Sequence, residues 1–365
     1  MDFGVLRMSK VRFAVVGAGW ISQEAFLPAV RQTGNAEVTA IVSGNAAKAK
    51  RLAEFYGIED IYDYAEFDAM AASGEVDAIY VATPNSSHCE YTVRAAQHRL
   101  HALVEKPLAT STADAESMIS AAQAAGVCLM TAYRLHNDPA TLRVAEMLGS
   151  GTIGEPRFFS SVFSFQTAPD NHRLKASHWG GPLQDVGVYC LNAARHAFHD
   201  NPIRAFSTPS FGYMDPRFKE VEEGIAVTLE FSKGRMAQFY AGFGTDALDM
   251  FQVAGTKGSI TLSNAFRFGV TRKLTLQQND QLQSIDFAET DNFSGMISYF
   301  ADCIQKGTAP LADGAEGLSD VAVMIAIRLA GKERVFQTVP QLPPFQTYDA
   351  SMVRSFPPAR EKLLV

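Results

Sequence analysis

The feature that most constrains this chain is a glycine turn close to its start. Val11–Val16 is a short β-branched, apolar run that reads as a buried strand. Gly17-Ala18-Gly19-Trp20-Ile21-Ser22 follows directly, and then a helical stretch over 20–33 that contains Pro28. In a strand–turn–helix unit the first glycine allows the tight turn. The second lets the backbone approach a pyrophosphate, whose charge the helix N-terminus favours. Gly17, Gly19, Trp20 and Ile21 are therefore cofactor-binding candidates. The third position of the pattern is Ser22 rather than glycine or alanine, so the match is incomplete, and Ser22 is expected close to the pyrophosphate.

The surrounding pattern strengthens that reading. Strands are expected at 38–42, Ala78–Val81, 102–105 and 127–131. Helices are expected at 45–56, capped by Asn45 and ended by Gly57, then at about 86–98 and 112–125, stopped by Gly126. Repeated β–α alternation implies a parallel sheet with helices on both faces, an α/β Rossmann domain over residues 1–131. After residue 132 the pattern changes. A helix at 138–148 ends in the cluster Gly149, Gly151 and Gly154. Strand-like stretches then follow without helical spacers, at 157–165, 225–231, Met236–Gly242, 250–254, 259–262 and 274–278. Helices at 293–306 and 315–331 precede a proline-rich, extended tail. Residues 132–365 thus read as an α+β domain with a large, open, mostly antiparallel sheet, for substrate binding and oligomerisation. Two domains suit a chain of 365 residues.

Composition excludes several classes of function. The net charge of −7 gives no electrostatic footprint for nucleic acid, and no basic run suits a membrane surface. The longest apolar stretches, such as 321–330, are too short to span a bilayer. The four cysteines are widely spaced and read as free thiols in a reducing compartment, and no metal-ligand cluster is evident. The opening MDFGVLRMSK lacks the apolar core of a signal peptide. Met8 is a second candidate start, and the segment is alternatively the remnant of a longer leader. The chain as given reads as cytoplasmic, with periplasmic placement if a leader has been removed.

Four motifs carry chemistry. The second strand ends Ile41-Val42-Ser43-Gly44-Asn45, with Lys48 a turn later. No carboxylate stands there to bind an adenosine ribose and repel a 2′-phosphate. Ser43 and Lys48 can bind one, so NADP is favoured over NAD. Thr83-Pro84-Asn85-Ser86-Ser87-His88 and Glu105-Lys106-Pro107 each follow a strand at the carboxyl edge of the sheet, where such folds bind ligands. Thr83, Asn85, His88, Glu105 and Lys106 join the cofactor candidates. In Gly180 to Asn192, a helix would place Asp185, Tyr189 and Asn192 on one face at i, i+4 and i+7. The alternative for Tyr189 is a ring in the core with its hydroxyl satisfied.

The order and spacing of GAGWIS, TPNSSH, EKP and GGPLQDVGVYCLN resemble the glucose–fructose oxidoreductase/inositol dehydrogenase (Gfo/Idh/MocA) family across the chain. The tail helix at 313–329 follows the family pattern. VSGNAAKAK (42–50), IYDYAEFD (61–68) and AYRLHNDP (132–139) resemble the glucose–fructose, or aldose, oxidoreductase branch most closely. The resemblance implies a Rossmann domain followed by a large open sheet whose face forms homodimers or homotetramers. It implies hydride transfer between a nicotinamide and a carbohydrate carbon. Lys106 then matches the family's EKP lysine, Tyr189 the catalytic acid/base, and Asp185 an acidic residue that contacts the sugar.

Those roles make chemical sense. A free tyrosine titrates near 10, too high for a base at neutral pH, and a nearby ammonium and a positive nicotinamide would lower that value. Arg134 and His136, just after the last Rossmann strand, could hydrogen-bond sugar hydroxyls; for His136 a satisfied structural histidine is the alternative. Arg173, Lys175 and His178 are weaker candidates. The leading expectation is an NADP-dependent aldose oxidoreductase that retains its cofactor and passes hydride from sugar to sugar. A sugar dehydrogenase or reductase with exchangeable NADP(H) is the nearest alternative. An NAD-using glycosidase is disfavoured by the missing carboxylate after strand two. A non-catalytic sugar sensor would need neither Lys106 nor Tyr189.

Overall fold

The computed structural model describes residues 10–212 and 214–365. Met8 and the reading of a leader fall outside them. Six parallel strands form the first sheet: β1 (Val11–Val16), β2 (Ala36–Val42), β3 (Asp60–Tyr62), β4 (Ala78–Val81), β5 (His101–Val104) and β6 (Leu129–Thr131). Their order, β3-β2-β1-β4-β5-β6, reverses direction between β1 and β4. A crevice opens outside the carboxyl ends of the strands at such a point. β4 is buried along its whole length and β1 along nearly all of it, as a sheet covered on both faces requires.

The helices are α1 (Leu27–Thr33), α2 (Ala46–Tyr56), α3 (Phe67–Ala71), α4 (His88–Gln97) and α5 (Thr112–Ala125). Asn45 caps α2 by accepting from the Lys48 N–H, and Gly57 and Gly126 end α2 and α5 in the left-handed conformation, as expected. A π-helical turn, Ser22–Phe26, leads into α1, so Pro28 sits in the first turn of an α-helix, where its missing N–H is tolerated. β3 and α3 escaped the sequence reading. β3 is a three-residue edge strand with Ile61 exposed, so it carries no apolar run or alternation.

After α6 (Pro139–Gly149), nine strands form a mixed sheet: β7 (Pro156–Ser164), β8 (Pro202–Ser210), β9 (Gly224–Phe231), β10 (Met236–Gly242), β11 (Leu248–Gly255), β12 (Ser259–Ser263), β13 (Arg272–Gln278), β14 (Gln281–Phe287) and β15 (Gln337–Thr338). The order is β14-β13-β12-β11-β7-β10-β9-β8-β15, antiparallel except where β10 runs beside β7. β8, β14 and β15 were not expected. β8 is punctuated by Pro202 and Pro209, and β14 is exposed along almost its whole length, so neither alternates. α7 (Val188–Phe198) and α9 (Gly314–Glu333) cover one face; α8 (Asn292–Lys306) packs on α1. The other face carries Phe158, Met236 and Met250, all exposed, with Phe158 and Met236 directly paired. Among the described residues no helix is long and apolar enough to cross a membrane.

Candidate active site

The glycine turn is tight because it lies against β4. Gly17 has φ +100°, and a Cβ on it would stand 2.7 Å from the Ala82 carbonyl oxygen. A Cβ on Gly19 would meet nothing nearer than 3.9 Å, which leaves room for a ligand to approach the backbone. Ser22 lies five residues after Gly17 and reaches back to it. It is fully buried, and its hydroxyl donates to the Gly17 carbonyl at 2.6 Å. The residue at this position fastens the turn to its own helix.

The turn opens onto a cavity of about 1060 Å³ at the crevice between the two sheets. Gly17, Gly19, Trp20 and Ile21 line it from the turn, and Ser43 and Lys48 from the end of β2 and the start of α2. Thr83, Asn85, Glu105 and Lys106 line it from the carboxyl ends of β4 and β5. Thr83 Oγ1 is buried without a hydrogen-bond partner, and Asn85 Nδ2 donates to the Trp179 carbonyl at 3.2 Å. An open backbone cradle at Gly19, an orphaned hydroxyl at Thr83 and a β2 end without a carboxylate all fit a phosphorylated dinucleotide. His88 does not reach this cavity. Its ring nitrogens lie 3.0 and 3.1 Å from the carbonyls of Pro107 and Thr83, and burial lowers its pKa. It ties the two motif loops together instead of meeting a ligand.

The second motif helix brings its carboxylate and tyrosine to the far wall. It begins with another π-helical turn, Leu183–Gly187, which carries Asp185; such turns concentrate at functional sites. Lys106 Nζ donates to the Asp185 carbonyl at 2.6 Å and to its carboxylate at 3.1 Å, while Arg173 pairs with the other carboxylate oxygen at 2.8 Å. Burial alone would raise the Asp185 pKa, but the two cations hold it well below the usual carboxylate range. Burial likewise opposes the charge on Lys106, and Asp185, Tyr189 and Glu105 together more than offset it, so the ammonium persists. That ammonium lies 4.9 Å from the centroid of the Tyr189 ring. The Tyr189 hydroxyl makes no hydrogen bond among the described residues.

Arg134 also lines the cavity, but its guanidinium is committed. It stacks 5.2 Å from the Tyr189 and Phe268 rings and donates to the Phe266 carbonyl and, at 3.4 Å, to Asn292. It props Tyr189 from behind. Burial pushes Glu105 up, and the Tyr80 hydroxyl donates to it at 2.6 Å. His178 lines the cavity as well, whereas Lys175 pairs with Glu220 at the surface.

His136 and Asn192 belong to a different cluster. His136 Nε2 lies 2.9 Å from Asn192 Oδ1, and Asn192 donates to Glu316 and Asp320 at 2.8 and 2.9 Å. Arg195 bridges the same two carboxylates, at 3.0 and 2.6 Å. All are buried, and neither His136 nor Asn192 lines the large cavity. The polar stripe therefore splits: Asp185 and Tyr189 face the crevice, while Asn192 completes an ionic network with α9. His136, Glu316 and the adjoining His196 offer ligand atoms within 4.8 Å of one another, but Arg195 already occupies the carboxylate. The sequence reading passed over Thr167, Asn171, His172, Arg267, Phe268 and Phe293, which complete the cavity wall. All but Phe293, which sits in the first turn of α8, come from irregular segments, where no periodicity marks them.

Residues 11–133 match the family described as "Oxidoreductase family, NAD-binding Rossmann fold", and residues 141–261 match "GFO/IDH/MocA C-terminal domain". A D-xylose 1-dehydrogenase [NADP(+)] from Haloarcula marismortui is 33% identical over 319 residues, which are 85% of this chain and 88% of that protein. This chain belongs to the Gfo/Idh/MocA family of oxidoreductases. Among solved structures, it is similar to the aldose–aldose oxidoreductase from Caulobacter crescentus complexed with glycerol. The TM-score is 0.86 and the identity 31%, over 90% of this chain and 99% of that one. A 3-ketoreductase from Actinomadura kijaniata, in complex with NADP and TDP-benzene, superposes with a TM-score of 0.82 at 28% identity, covering 88% and 98%. Family membership accounts for the two-sheet architecture and places the crevice at the reversal of strand order.

Proposed function

We propose that this protein is an NADP(H)-dependent sugar oxidoreductase acting on a CH–OH group of an aldose or related polyol. The observation that carries the reading is the convergence of Lys106, Asp185 and Tyr189 on the cavity into which the glycine turn opens. Oxidising a sugar hydroxyl removes a hydride from carbon and a proton from oxygen. When bound, NADP+ supplies the hydride acceptor. Tyr189 takes the proton from the sugar hydroxyl, or returns it to the carbonyl oxygen on reduction. Lys106 stays charged through its pair with Asp185 and stabilises the negative charge that develops beside it. Gly17, Gly19, Trp20, Ile21, Thr83, Asn85 and Glu105 hold the dinucleotide, and Ser43 and Lys48 receive its 2′-phosphate. Sugar hydroxyls meet Asp185, while Arg134 holds the Tyr189 ring in place. NADP appears in the names of the xylose dehydrogenase and in the ketoreductase complex, which supports the same cofactor here.

Incubating the protein with NADP+ and a panel of aldoses and polyols, and following nicotinamide absorbance, tests the proposal. Reduction with at least one sugar is expected; none with any would overturn it. The likeness to an aldose–aldose oxidoreductase favours a finer reading, in which the cofactor stays bound and hydride passes between sugars. Denatured protein would then release NADP(H), and added labelled NADP would not exchange. The residues also divide into a dinucleotide unit, 1–131, and a substrate and oligomerisation unit, 132–365, and the apolar outer face of the nine-stranded sheet pairs two copies.

A further inference from the structure

Three successive carbonyls of the glycine turn are occupied from within the protein. Gly17 O accepts from Ser22 Oγ at 2.6 Å, Ala18 O from Gln23 Nε2 at 2.8 Å, and Gly19 O from Gln23 N at 3.2 Å. A trans peptide points its C=O and the following N–H in opposite directions. Carbonyls held toward the helix therefore leave the N–H groups of Ala18 and Gly19 facing the other way, and both residues line the cavity. A turn with these carbonyls free could rotate a partial negative charge toward a phosphate.

Gln23 is 3% exposed, and its amide has a second partner from far along the chain. Its Oε1 accepts from the Val365 backbone N–H at 2.7 Å. A carbonyl can only accept and a backbone N–H can only donate, so the two contacts together fix which way the amide faces. The segment that reaches Gln23 follows the mixed sheet in sequence, yet it runs over the Rossmann helices. Phe356 O accepts at 2.9 Å from the N–H of Asp291, the N-cap of α8; beyond it, Pro357 O accepts from Gln32 Nε2 at 3.0 Å and the Tyr56 hydroxyl from Leu363 N at 3.4 Å. Lys362 pairs with Glu24, the neighbour of Gln23. No regular secondary structure holds this strap; polar ties and the half-buried Leu363 and Val365 do.

We infer that Gln23 is a positioning residue for the dinucleotide, and that residues 361–365 lock its amide so that the turn presents N–H groups to the pyrophosphate. The inference rests on the turn being the NADP(H) site. Fluorescence titration with NADPH tests it in the parent protein, in Gln23→Ala, in Gln23→Glu, in a chain ending at residue 360, and in that shortened chain carrying Gln23→Ala, with thermal midpoints as a check of folding. Gln23→Glu keeps an acceptor for Val365 while removing the donor to Ala18. Each single change is expected to raise the NADPH Kd roughly fivefold, the scale of one hydrogen bond, with the loss falling on Kd and cofactor KM rather than kcat. The combined variant should be no worse than Gln23→Ala, because the strap acts through that amide. Unchanged Kd in either single variant, a lower binding stoichiometry at unchanged Kd, or additive losses would overturn the inference. A parent protein that does not bind NADPH would refute the cofactor reading itself, and this inference with it.

Discussion

Lys106 holds Asp185 through two hydrogen bonds from one ammonium, at 2.6 Å to its carbonyl and 3.1 Å to its carboxylate, while Arg173 holds the remaining carboxylate oxygen. The carboxylate therefore keeps one cation when the other is removed. Lys106→Met should leave the fold intact and lower kcat by roughly 10²–10³-fold, the usual loss when a preorganised charge is deleted. Steady-state kinetics alongside a thermal midpoint would check this; a kcat within a few-fold of the parent would remove Lys106 from the chemistry.

Tyr189 places its ring 4.9 Å from that ammonium. Its ring is braced by Phe163 at 5.8 Å and by Arg134 at 5.2 Å, so Tyr189→Phe keeps every ring contact and deletes only the hydroxyl. Turnover should fall by at least about 10²-fold with folding and NADPH binding preserved. Retained activity in this variant would assign proton transfer elsewhere.

Cofactor choice is set at the end of β2. Ser43 is buried at the cavity wall and accepts from the Asn45 N–H at 3.2 Å, and Lys48 lies one helical turn on. A carboxylate at residue 43 would repel a 2′-phosphate and suit a ribose hydroxyl. Ser43→Asp should therefore lower kcat/KM with NADP+ by more than tenfold while that with NAD+ falls less or rises, and Lys48→Ala should act in the same direction. Parallel losses with both cofactors would show that neither residue reads the phosphate.

Much of this site was legible in the sequence because its parts follow strands. The residue after a buried parallel strand must lie at the carboxyl edge of the sheet, so Gly17, Ser43, Thr83 and Lys106 could be placed together without coordinates. The sequence left the roles of Ser22 and His136 open for a related reason. A polar residue beside a functional turn can serve the ligand or the backbone, and only tertiary contacts separate the two. Ser22 turned out to serve the backbone, and His136 a buried network built with α9, nearly two hundred residues away. The loop residues of the cavity wall, such as Phe268, were silent because irregular loops leave no period to read.

The outer face of the mixed sheet offers a test of assembly. Phe158 on β7 pairs with Met236 on β10, and both are about two-fifths exposed, as is Met250 on β11. Exposed apolar side chains adjacent on a sheet face suit a second copy of the same face. Placing charge there, as Phe158→Glu with Met236→Glu, should yield monomers in sedimentation while the thermal midpoint of the monomer stays measurable. A parent protein that already sediments as a monomer would dismiss the proposed interface.

The buried network around His136 predicts how the fold responds to acid. Burial, with help from the neighbouring His196, lowers the His136 pKa to about 3, against an ordinary value of 6.5. Around it stand Asn192, His196 and the Arg195–Glu316 pair, with the rings of Tyr133 and Tyr348 stacked on either side. Between pH 6.5 and 3 the unfolded chain binds a proton at this residue that the folded protein refuses. Stability from this group is therefore complete above pH 6.5 and is lost as the pH falls, by at most about 1.4 kcal/mol per pH unit. His88, also buried and lowered, contributes with the same sign. Thermal midpoints measured from pH 7 to pH 5 should fall with acidification, and His136→Gln should start lower but show a shallower slope. An identical slope in the variant would place the titrating group elsewhere in the protein.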